Sequence, residues 1–135
     1  MENQNNVNNN EIFPKGKKIS NEHFIGTVWL EMLVTEENTY NCTIGNVTFD
    51  PGARNNWHKH SEGQILLVTS GTGYYQEEGK PIQLLHAGDV VKIRPGVKHW
   101  HGAAPDSQLT HIAIQRGDAE WLERVTDEQY KSYKK

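Results

Sequence analysis

The amino-acid sequence predicts an all-β protein, a sandwich or barrel of short strands followed by a short helical tail. Between Phe24 and Arg116 the chain runs as short apolar and β-branched stretches. Each stretch is bounded by turn signals such as Asp50-Pro51-Gly52, Ser70-Gly71, Ala87-Gly88 and Arg94-Pro95-Gly96. Many short strands at such regular spacing are the mark of a sandwich or barrel. Helix signals are confined to the tail, where Thr126 and Gln129 form a capping-box pattern, and no repeat at solenoid spacing is visible.

The elements follow in order. Six of the first ten residues are asparagine and almost none is apolar, so residues 1–12 cannot offset their ordering entropy and are expected to be disordered. Structure is expected to begin near Phe13 or Phe24. Gly26 to Val34 reads as a strand closed by Glu36, Glu37 and Asn38, and Tyr40 to Phe49 as a second. Gln64 to Thr69 and Gly73 to Gln76 read as separate strands broken by Ser70-Gly71. A hairpin turn at Glu77–Lys80 leads into Pro81 to Leu85; Asp89 to Ile93 and Leu109 to Gln115 complete the set. A chain of 135 residues has room for one ordinary domain. That domain is placed over 13–135, with the barrel about 24–116 and a helical tail over 118–133.

Composition excludes several classes of function. The net charge is −3, and the only basic runs are Lys15, Lys17 and Lys18 and the terminal Lys134–Lys135. A nucleic-acid binder would show a basic stripe, so no nucleic-acid partner is expected. No run approaches membrane-spanning length, and the asparagine-rich start has neither a basic nor an apolar segment of the kind that targets a chain for export. The single cysteine, Cys42, excludes an intramolecular disulfide and fits a reducing compartment. With Thr43 and Ile44 beside it, Cys42 is expected to fill core space. These readings together give a cytoplasmic protein.

Chemistry concentrates in five of the seven histidines: His58, His60, His99, His101 and His111. On a strand, residues two apart point to one face, so His58 pairs with His60 and His99 with His101. His111, Ala113 and Gln115 share a face in the same way. In a small barrel the in-facing positions alternate with outward ones, which turns Trp57, Lys59, Lys98 and Trp100 away from the cluster. Burying several imidazoles without partners is unfavourable. A metal ion removes the difficulty by taking the nitrogen lone pairs. His86, in a turn, is expected to be exposed, and His23, in the arm before the barrel, to lie outside the site.

The spacing Gly52-x5-His58-x-His60-x3-Gln64-x6-Gly71 resembles the first motif of the cupin family, with Gln64 in place of the usual glutamate. Gly88 through His99, with Gly96 three residues before the histidine, is similar to the second. Two departures occur there: Arg94 takes the position usually held by proline, and Ala103 replaces the usual asparagine. The resemblance covers residues 24 to 116 and implies a jelly-roll barrel, the double-stranded β-helix. A narrower likeness lies in Asp50-Pro51-Gly52-Ala53-Arg54, His99 to Ala104, Thr110 to Gln115, Trp121-Leu122 and Val125 to Tyr130. Those stretches resemble a group of bacterial manganese cupins that includes (R)-selective hydroxynitrile lyases and often carries the label carboxymuconolactone decarboxylase-associated.

The resemblance implies that His58, His60, Gln64 and His99 hold one divalent transition metal. Manganese is the first expectation, with iron, nickel or zinc as alternatives. It implies His111 as the acid/base, with His101 as a second proton-transfer group or an outer-sphere donor, and Ala113 and Gln115 lining a substrate pocket. Three imidazoles and an amide are all neutral, so the ion would keep its full charge and act as a strong Lewis acid. That favours a lyase acting on small carbonyl or cyanohydrin compounds. A metal-dependent dioxygenase and a non-catalytic small-ligand-binding cupin are the alternatives. The expected partners are a small-molecule substrate and further copies of the chain, as a dimer or tetramer in which Gly26–Val34 takes part.

Overall fold

The computed structural model describes residues 12–135; the disorder expected of the asparagine-rich start falls, but for Ile12, outside the described residues. Twelve strands and two one-turn helices make up the described chain. In order they are β1 (Lys17–Ile19), β2 (Phe24–Ile25), β3 (Val28–Val34), α1 (Glu37–Tyr40), β4 (Thr43–Phe49), β5 (Arg54–Asn55), β6 (His58–His60) and β7 (Gln64–Glu77). There follow β8 (Gln83–His86), β9 (Val90–Ile93), β10 (His99–Ala103), β11 (Leu109–Gln115), β12 (Ala119–Trp121) and α2 (Asp127–Tyr130). All pairings are antiparallel, and the main path runs β1-β3-β4-β11-β7-β10-β5-β2.

The long strand β7 turns this sheet into a barrel. Its first half lies between β11 and β9, and its second half between β10 and β8. Gly71 marks the crossing: its φ is +83°, and a Cβ there would sit 1.7 Å from the Gln108 carbonyl oxygen. Only glycine fits so close a backbone approach. The stretches read as two strands, Gln64 to Thr69 and Gly73 to Gln76, are therefore one, because Gly71 bends the ladder without ending it.

Two apolar clusters hold the barrel. The inner one contains Val28, Phe49, Leu66, Val68, Leu85 and Leu109 among others. The second lies on the outside of β6, β7 and β10, where Trp57, Tyr74 and Trp100 pack under Val125 and Tyr130 of the tail. Trp57 and Trp100 thus face away from the histidines, as alternation requires, yet Trp100 is wholly buried. Tyr130 donates to the Ala103 carbonyl at 2.5 Å. Arg54 donates to the Val125 carbonyl and to Asp127 and stacks on the Tyr130 ring.

Three local expectations change. The tail over 118–133 is helical only at Asp127–Tyr130, where the Thr126–Gln129 capping box is present in both directions. Ala119–Trp121 instead pairs with β6, since a free backbone edge offers it more hydrogen bonds than an isolated short helix would. Tyr40, expected to open the second strand, instead ends the single helical turn Glu37–Tyr40, which Asn41 closes at φ +64° before β4 begins at Thr43. Cys42 is only partly buried and lines a shallow surface depression with Tyr40, Ile65 and Ile114. It precedes β4 and is only half-buried, so it does not fill the core.

Candidate metal centre and pocket

Four strands of the barrel build the site. Strand β6 contributes His58 and His60, β7 opens with Gln64, and β10 brings His99 beside His58 through the pair His99↔His58. Each of His58, His60 and His99 offers one ring nitrogen within 4.8 Å of the others, and all three are buried. Strand β11 contributes His111, and β10 also carries His101, whose ring meets that of His111 edge-on at 5.0 Å.

Hydrogen bonds decide which ring atoms are free. The Nδ1 of His58 lies 2.8 Å from the Asn56 carbonyl and that of His99 2.9 Å from the Val97 carbonyl. A carbonyl only accepts, so both Nδ1 atoms carry the proton and both Nε2 atoms keep their lone pairs. Outer-sphere carbonyls of this kind fix the tautomer of metal-ligating histidines. Gln64 donates its amide Nε2 to Gln115 at 3.3 Å, which leaves its Oε1 as the free acceptor. Among the described residues, Gln64 Oε1, His99 Nε2 and both nitrogens of His60 are buried without a hydrogen-bond partner. Native interiors rarely tolerate such atoms, and a divalent cation bound by these four residues would satisfy Gln64 Oε1, His99 Nε2 and one nitrogen of His60 together. The donor set fits the metal.

Electrostatics agree. Burial lowers the pKa of His58 and His99, and burial reinforced by His99 brings His60 down to about 4. Burial, partly opposed by the Ile112 backbone, takes His111 down to about 4, and burial followed by His111 pushes His101 well below its ordinary range. At neutral pH all five imidazoles are therefore uncharged, which is the form that binds a metal or accepts a proton.

A cavity of about 370 Å³ opens onto this cluster. Ala113 and Gln115 line it, together with His58, His60, Gln64, His101 and His111. The rest of its wall is largely apolar, with Phe24, Leu30, Met32, Phe49 and Trp121. Both nitrogens of His111 also lack a hydrogen-bond partner among the described residues. His86 is exposed, and His23 lies outside the ligand cluster but stacks on Trp121 at 4.5 Å.

Two contributors escape sequence reasoning. Asn55 accepts from the His101 backbone N–H at 2.9 Å, and its amide nitrogen lies 3.2 Å from His101 Nε2. Nothing local marks a polar residue after Arg54 as part of a site. Trp121, read as tail, stacks on His58 at 4.6 Å; only its place in the pairing of β12 with β6 reveals it.

The structure is a small antiparallel barrel in which a buried, neutral histidine cluster that could hold a metal ion lies beside an apolar cavity. The family model described as Cupin domain matches residues 45–115, and the chain belongs to the cupin family. It is 49% identical over 112 residues to the (R)-mandelonitrile lyase of Granulicella tundricola, spanning 80% of this chain and 86% of that one. A solved structure of a cupin-like protein from Thermotoga maritima matches with a TM-score of 0.88 and 53% identity, over 91% of this chain and 97% of that one. A more distant likeness, 29% identity over 76 residues, is to an acireductone dioxygenase of Picosynechococcus, covering 53% of this chain and 43% of that one. Among the described residues, no helix is long and apolar enough to cross a membrane.

Proposed function

We propose that the protein is a metal-dependent lyase that breaks, and in reverse forms, the bond between a nitrile carbon and a carbonyl-derived carbon. The reading rests on one observation: His111, whose ring nitrogens are buried without a partner, lines the same largely apolar cavity as His60 and Gln64, which also carry partnerless atoms. The relative named (R)-mandelonitrile lyase supports the choice of reaction.

His58, His60, Gln64 and His99 would hold the ion, manganese by preference because an amide oxygen suits a harder metal than a thiolate does. A divalent ion in this neutral donor set would supply Lewis acidity, stabilising the negative charge that develops on a substrate oxygen. His111, neutral and buried, accepts the hydroxyl proton of a cyanohydrin. The O–H electron pair becomes the new carbonyl bond as the carbon–carbon bond breaks, and cyanide leaves with that bond's electrons. Return of the proton from His111 gives hydrogen cyanide and restores the imidazole. His101, held by Asn55, supports His111 from its edge, and Phe24, Phe49 and Trp121 keep bulk water from the reacting carbon. Gln115 holds the Gln64 amide in the orientation that presents Oε1.

Replacing His111 with alanine should lower turnover of an aromatic cyanohydrin by about 10²–10⁴-fold with metal content unchanged. Undiminished turnover would remove His111 from the mechanism. The dioxygenase relative supports a second reading, for which oxygen uptake with diketone or aromatic substrates is the discriminating assay. The reading includes a small-molecule substrate and association of copies as a dimer or tetramer, the latter checked by light scattering on the eluting protein.

A further inference from the structure

We infer that Trp121 is a positioning residue for the metal centre, and that β12, which carries it, holds the ligand strand β6 in place. The inference rests on the reading of His58, His60, Gln64 and His99 as metal ligands.

Strand β6 is only three residues long, and two of them are His58 and His60. Toward the barrel it is paired with β10 at one position, His58↔His99. Along its other edge it is paired with β12 at every residue: His60↔Ala119, Lys59↔Glu120 and His58↔Trp121. The pairing continues beyond both ends. Trp57 N–H donates to Glu123 O at 2.9 Å and Leu122 N–H to Trp57 O at 2.8 Å. At the far end Ser61 N–H donates to Asp118 O, and Asp118 N–H to Ser61 Oγ. The strand that presents two ligands is thus held chiefly by the C-terminal segment.

Side chains repeat the arrangement. The indole of Trp121 lies on the His58 ring at 4.6 Å and 29°. His23 also stacks on the indole at 4.5 Å and 9°, and Phe24 leans against it at 5.7 Å. A hydrogen bond from Nδ1 to Asn56 fixes one atom of His58 but leaves the ring free to tilt. The flat indole removes that freedom and aims Nε2 at the point shared with His60 and His99. β12 is in turn tied to the barrel by its flanking residues, through Lys98–Glu123 at 2.7 Å and Trp57 Nε1 donating to Gln129 at 3.3 Å.

Titration of the metal-free full-length protein with Co²⁺, followed by visible absorption and chelator competition, tests this directly. Trp121→Ala should weaken Co²⁺ binding by about 10-fold or more and change the absorption bands of the bound ion. Trp121→Phe, which keeps a flat ring, should restore most of the affinity, and His23→Ala should give a smaller loss. Unfolding of the metal-free variants, measured alongside, separates this effect from general loss of stability. Equal affinity and an identical spectrum for Trp121→Ala and the wild type would overturn the inference while leaving the metal site standing. If Trp121→Ala does not fold, Trp121→Leu takes its place with the same two outcomes. Failure of the wild type itself to bind Co²⁺ would overturn the metal reading and this inference with it.

Discussion

Gln64 differs from the imidazoles beside it in what it leaves uncompensated. An amide supplies an oxygen without charge, whereas a carboxylate at the same place would cancel one unit of the ion's charge. Gln64→Glu should therefore tighten metal binding and slow cyanohydrin cleavage. A unit charge a few ångströms from the ion is worth several kcal/mol even at a high effective dielectric, so affinity should rise by on the order of 10-fold or more. Chelator competition and the lyase assay read the two effects separately, and an unchanged affinity would show that Gln64 is not a ligand. At this scale much was legible beforehand. The two-residue spacing of His58 with His60 and of His99 with His101 is enough to put each pair on one face. Asn55 was not legible, because its role depends on β5 lying against β10, and no local pattern records that contact.

The C-terminal segment shows most clearly what pattern reading misses. Thr126 and Gln129 announce a helix start, and the capping box is there. The same reading extends the helix over residues that pair as β12, because strand pairing is decided by the partner β6 and not by the segment's own propensity. The single turn α2 matters because it docks Tyr130 and the Val125 carbonyl against Ala103 and Arg54. Thr126→Ala removes the cap and should reduce stability to urea by about 1 kcal/mol. An unchanged midpoint would mean that Tyr130 and Arg54 hold α2 without its cap. β7 carries the complementary lesson: Gly71 looks like a break in the sequence and acts as a bend, since only the approach of Gln108 shows why the glycine is needed.

Across the whole molecule, five buried, neutral imidazoles make stability depend on pH. His60 and His111 sit at about 4 in the folded chain, against 6.5 for a free imidazole. Between those values the unfolded chain binds protons that the folded chain does not. Stability is therefore full above about 6.5 and falls as pH drops toward 4, each group contributing about 1.4 kcal/mol per pH unit. The urea midpoint of the metal-free protein should be clearly lower at pH 5 than at pH 7.5, and a flat profile would mean that the imidazoles are already solvated. The jelly-roll barrel was readable from strand spacing and the two cupin-like motifs. The apolar half of the cavity was not, since Phe24, Leu30, Met32 and Trp121 come together only when distant strands close the barrel. The proposed lyase chemistry depends on a metal joining His58, His60, Gln64 and His99. Elemental analysis of protein purified without added metal tests that most directly. The expected result is roughly one equivalent of a single transition metal per chain. Less than about a tenth of an equivalent, not recovered by reloading with manganese, iron, nickel or zinc, would contradict it.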